Sequence, residues 1–211
     1  MNIRKLYLWE SALLVAFAVT LLIGCCASAS RAALADQVLR LHVVANSDSE
    51  FDQAVKLQVR DAVLEAAQPL LDGVDSSCGA EDALIPWLEE LERTAAETLR
   101  AAGSGDAVTV TLADQWFPTK VYESFSLPAG EYRALKVTIG EGAGQNWWCV
   151  VFPPLCLASV TEEVEEAAAM AGLTEDQVAL ITGQDGGYVL KFKVIEWWEM
   201  LLEKLGIGNL E

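Results

Sequence analysis

The chain holds one histidine, His42, among 211 residues. A single imidazole cannot build a histidine-rich metal site, and no Cys-x-x-Cys pair offers a thiolate one, so no metal or other cofactor is expected. No Gly-x-Ser-x-Gly stretch marks a nucleophile elbow. Positive charge is scarce as well. Lys and Arg total 14 against 31 Asp and Glu, a formal net charge of −17. Such a surface favours solubility. It suits neither a nucleic-acid backbone nor an anionic membrane surface, which excludes nucleic acid as a partner. The chain has no internal repeat. Its hydrophobic content of 53% partly reflects an apolar leader and many alanines, so it does not mark a polytopic membrane protein.

What the chain does have begins at the N-terminus. Arg4 and Lys5 precede an uncharged run from Ser11 to Ser30, centred on LLVAFAVTLLIG. Three readings fit it. Ala27-Ser28-Ala29 has the small-x-small form of a signal-peptide cleavage site. The run is also about as long as a bilayer-spanning helix requires. Leu22-Ile23-Gly24-Cys25 resembles a lipobox, which would make Cys25 a lipid-modified terminus. All three place everything after about Ser30 outside the cell. Residues 1–30 are thus a signal peptide or anchor, and the only expected membrane contact. Residues 31–211 are an exported domain.

Residues 38–45, VLRLHVVA, read as a strand. Ser47 with Glu50, and Ser49 with Asp52, stand at capping spacing before a helix over 50–70. Residues 71–80 read as a loop, and a second helix follows over 86–102. Strands are expected at 108–112, 131–139 and 147–152, with loose alternation over 120–127. The glycine-rich turn 140–146 suggests that the last two strands form an antiparallel hairpin. Helices are expected over 161–171 and from Thr174 to Gly183, then a strand over 188–194 and a helix over 196–205. The fold class is a single α+β domain with a mainly antiparallel sheet and packed helices.

The densest stretch is Gly140 to Cys156, GEGAGQNWWCVVFPPLC. Its glycines do not make a phosphate loop, because a strand follows them and not a helix N-terminus. Trp147 and Trp148 must point to opposite faces of their strand, so at most one is expected to contact a partner. Cys149 and Cys156 flank two prolines, and a chain reversal there would bring them within disulfide reach; two free thiols are the alternative. His42 reads as a structural imidazole at a strand end. A dyad with Cys149 or Cys156 is chemically conceivable. The strand end at His42, Asn46 and Asp48, with Trp147 or Trp148, is the candidate partner surface.

Several segments together resemble the stage II sporulation protein R family. They are Leu39 to Asp48 (LRLHVVANSD), Asp52 to Lys56 with Val59 to Val63, Leu127 to Tyr132, Ile139 to Gly142 with Asn146 to Cys156, and Val189 to Trp198 (VLKFKVIEWW). The resemblance implies an intercellular signal of endospore-forming bacteria, made in the forespore. It would be exported into the space between forespore and mother-cell membranes. There it would activate a membrane-embedded aspartic protease of the mother cell, which processes a pro-sigma factor. On that reading the chain is a ligand and not an enzyme. The alternative from residues alone is an exported cell-envelope hydrolase or sugar-binding module.

Overall fold

The computed structural model describes residues 13–20, 32–122, 124–155 and 161–183. The chain divides into two units, Met1–Leu34 and Ala35–Glu211. In the first, residues 13–20 are helical. The cleavage motif and Cys25 lie outside the described residues, as do Cys156, the expected strand over 188–194 and the helix over 196–205. Among the described residues, no helix is long and apolar enough to cross a membrane.

The second unit is an α+β domain. Its order is β1 (Leu39–Val44), α1 (Glu50–Ala67), α2 (Ser77–Leu84), α3 (Leu88–Ala101), β2 (Val108–Phe117), β3 (Lys120–Val121), β4 (Ser126–Leu127), β5 (Gly130–Ile139), β6 (Asn146–Phe152), α4 (Thr161–Met170) and α5 (Glu175–Thr182). The main sheet runs β2-β5-β1-β6, and β3 pairs with β4 in a separate two-stranded piece. β2–β5 and β1–β6 are antiparallel, whereas β1–β5 is parallel, so the sheet is mixed.

This corrects the hairpin expectation. β5 and β6 are consecutive and oppositely directed, but β1 lies between them, with Val43 opposite both Val137 and Trp147. The glycine-rich turn is therefore a crossover above the end of β1. A local turn signal cannot report that a strand from far upstream fills the gap.

Alternation along the strands creates two unlike faces. Leu39, Leu41 and Val43 share one face with Leu135, Val137 and Ile139, all of them buried. This face meets the apolar sides of α1 and α3, where Val55, Val59, Val63, Leu91, Ala95 and Leu99 are buried. The other face carries Arg40 and His42, with Tyr132, Lys136 and Trp148 beside them by register. The β3–β4 piece approaches it through Tyr122.

Several ends follow their local chemistry. Ser49 is the N-cap of α1 and accepts from Asp52 N. Thr174 and Gln177 form a full capping box for α5, which ends at Gly183 with φ +69°. Helix α2 was not expected. Ser76 caps it by accepting from Gly79 N, and Gly79 inside the helix gave the segment its loop-like composition. The helix over 50–70 ends as α1 at Ala67, followed by a 3-10 turn at Gln68–Leu70.

Candidate functional site

The site grows from the end of β1. After Val44 the chain must leave the sheet, and Asn46, Ser47 and Asp48 do so while holding the crossover loop. Asn46 Oδ1 accepts from Glu141 N at 3.0 Å, and Asp48 Oδ1 accepts from Gln145 N at 2.8 Å. Ala143 N donates to Asn46 O, and Gly144 N to Ala45 O. Gly140 has φ +56°, and a Cβ there would collide with the Asn46 amide. A Cβ at Gly144 would enter the space of the Ser47 carbonyl oxygen. These glycines are required by the close approach of two backbones, not by a ligand.

The start of α1 closes the same knot. Ser47 Oγ donates to Asp52 Oδ2 at 2.5 Å and accepts from Ser49 N. Gln53 Nε2 donates to Ser47 O at 2.8 Å. Lys56 is only 4% exposed. Its ammonium donates to Gln53 Oε1 at 2.6 Å and to Gln145 O at 3.0 Å. Burial lowers its pKa, while Asp48 acts in the opposite sense.

His42 lies one step along β1. Its Nε2 donates to Asn146 Oδ1 at 2.7 Å, and Nδ1 is buried without a partner. The ring stacks on Trp148 at 6.0 Å and meets Phe117 edge-on at 5.8 Å. Burial pushes the imidazole below its ordinary value of 6.5, more than the Asn146 bond raises it, and Lys136 adds to the lowering.

The dyad idea meets an obstacle in the register. His42 stands opposite Trp148, and Cys149 stands opposite Leu41, so His42 and Cys149 project to opposite faces. Cys149 is moreover disulfide-bonded. Cys156, the partner expected for it, lies outside the described residues, and Cys78 is free and exposed. Among the described residues no cluster of His, Cys, Asp and Glu could hold a metal ion.

Sequence reasoning missed Arg40. It is fully buried in a sheet, where a charge normally requires a paired carboxylate. Instead its guanidinium lies 4.0 Å from the Phe117 ring centre and 4.9 Å from that of Tyr132. Nη2 donates to Tyr122 Oη at 2.8 Å, and Nη1 has no hydrogen-bond partner. Tyr122 in turn donates to Trp148 O at 3.0 Å. Cation–π contacts thus replace an ion pair. The available signal was a lone cation between Leu39 and Leu41, in register with the other polar residue of the strand.

Trp147 and Trp148 do leave β6 on opposite faces. Arg60 of α1 covers the Trp147 ring at 4.4 Å, and Lys120 of β3 covers that of Trp148 at 3.9 Å. Yet both rings line one groove of about 560 Å³, with Lys56, Lys120, Tyr122 and Asn146. Because β6 ends the described sheet, a groove that wraps its start touches both faces. The expectation that only one tryptophan could serve a contact does not follow from the alternation.

Several of the blocks that carry the resemblance therefore converge, while residues 189–198 lie outside the described residues. β1, the 46–48 turn, residues 52–56 and the 140–149 stretch form one bonded corner. A model of the family described as stage II sporulation protein R matches residues 35–162. The chain belongs to this family. Stage II sporulation protein R of Bacillus subtilis (strain 168) is 34% identical over 179 residues, spanning 77% of this chain and 80% of that protein. No solved structure matches the chain.

Proposed function

We propose that the chain is an exported intercellular signal of endospore formation, acting as a ligand. It is made in the forespore and enters the space between forespore and mother-cell membranes. There it activates a membrane-embedded aspartic protease of the mother cell, which then processes a pro-sigma factor. The carrying observation is membership of a sporulation family across residues 35–162, together with a leader of export type. The architecture supports the reading. Several of the described segments that carry the resemblance are spent on a bonded corner beside an aromatic groove, and the one imidazole is tied to Asn146. A ligand of this kind works by binding the active state of its protease better than the inactive one.

The test is co-expression of protease, sigma precursor and this chain in a non-sporulating host. Precursor cleavage should require the chain. Cleavage that proceeds equally without it would sink the proposal. An exported sugar-binding module is the second reading, favoured by the partly exposed Trp147 in the groove. It predicts saturable binding of peptidoglycan fragments.

A further inference from the structure

The cations of this acidic chain are unevenly placed. Within the described part of the second unit, Arg93 and Arg100 lie on α3, and Arg133 is bound to Glu81 and Asp114. The others, Arg40, Lys56, Arg60, Lys120 and Lys136, gather around β1 and β6. Three nearby carboxylates have hydrogen-bond partners of their own, and Asp48 also attracts the Lys56 ammonium. Asp48 holds Gln145 N, Asp52 holds Ser47 Oγ, and Asp61 pairs with Arg60 at 2.6 Å. Lys56 is buried on the groove wall, and its ammonium donates to neutral oxygens. An ammonium has three donors, so one remains for an incoming group. Behind Tyr122, which lines the same groove, stands the buried Arg40 guanidinium with Nη1 unsatisfied. A buried charge without a counter-charge is costly, and an anion arriving here would offset that cost.

We propose that the groove around Trp147 and Trp148 binds an acidic peptide segment of a partner protein, its carboxylates meeting Lys56 and Lys120 and its apolar side chains lying on the indoles. The chain as a whole has a formal net charge of −17, so an acidic segment is drawn to this cluster of cations in preference to the acidic remainder of the described surface. The indoles favour a peptide over a polyanion, since a phosphate polymer has no apolar side chains to bury. The inference rests on the reading that the chain acts by binding a partner protein.

Fluorescence titration of the full chain in non-ionic detergent tests it. The probes are a short peptide alternating Glu and Val, its Gln counterpart, and poly(glycerol phosphate). The Glu peptide should bind, with affinity falling as salt is raised. The Gln peptide should bind about tenfold more weakly, and Lys120→Glu and Arg60→Glu should each weaken the Glu peptide by about tenfold while the variants remain folded by circular dichroism. Equal binding of the Glu and Gln peptides, no binding of the Glu peptide, or binding of the phosphate polymer alone overturns the proposal. This experiment reads the groove, whereas precursor cleavage on co-expression reads activation. Failure of one is therefore distinguishable from failure of the other.

Discussion

At the scale of single residues, the corner formed by Asn46 and Gly144 sets the tolerance for change. Gly144→Ala places a methyl group against the Ser47 carbonyl, backbone that cannot rotate away. It should cost about 2 kcal/mol or more in urea unfolding, within the range of overpacking penalties. Asn46→Ala removes the acceptor for Glu141 N and should cost about 1 kcal/mol. Amide exchange should quicken first at Glu141, before the sheet is affected. His42 gives a pH dependence. Its folded pKa lies below the ordinary 6.5, through burial first and then with Lys136 and Arg40 opposing Asn146 and Gln115. The unfolded chain therefore takes up a proton that the folded chain resists. Stability should be undiminished above 6.5, fall as pH drops through 6.5, and level off below the folded value. His42→Gln should lack this component, and a comparison of urea midpoints between pH 7 and 5 would show it. Equal slopes in both proteins would contradict the assignment.

At the scale of elements, the expected strands and helices over 38–183 were largely legible, because each carried its own local chemistry. Thr174, Gln177 and Gly183 specify α5 within ten residues, and Ser49 specifies the start of α1. Helix α2 was not legible because Gly79 and its serines read as loop. The neighbours of β1 were not legible either, since pairing partners some ninety residues away leave no local trace. The same limit hid the groove. Trp147 and Trp148 were visible as candidates, but Lys56 and Lys120 come from other elements, and only the fold brings them together. The disulfide at Cys149 belongs to this scale. Without reductant, alkylation should label Cys78 but neither Cys149 nor Cys156, and intact mass should rise by two hydrogens on reduction. Labelling of Cys156 under those conditions would exclude it as the partner. With Cys156 as the partner, the short loop would contribute about 2–3 kcal/mol by the chain-entropy model, and the unfolding midpoint should fall with reductant.

At the scale of the whole molecule, five of the eight described cations of the second unit gather around β1 and β6. If the groove contacts the protease, Lys120→Glu should reduce precursor cleavage on co-expression severalfold while Arg93→Glu, on α3, leaves it unchanged; equal cleavage with both would place the contact elsewhere. If the chain is exported as proposed, the central position of β1 bears on how it is delivered. β1 opens the second unit, yet its sheet partners are β5 and β6. A chain threaded across a membrane from its N-terminus presents β1 first and must wait until residue 152 has emerged before that strand can pair on both sides. Until then β1 can pair only on its β5 side. Completion of the described sheet would then require passage through residue 152, and a chain stalled earlier would lack the corner built on β6.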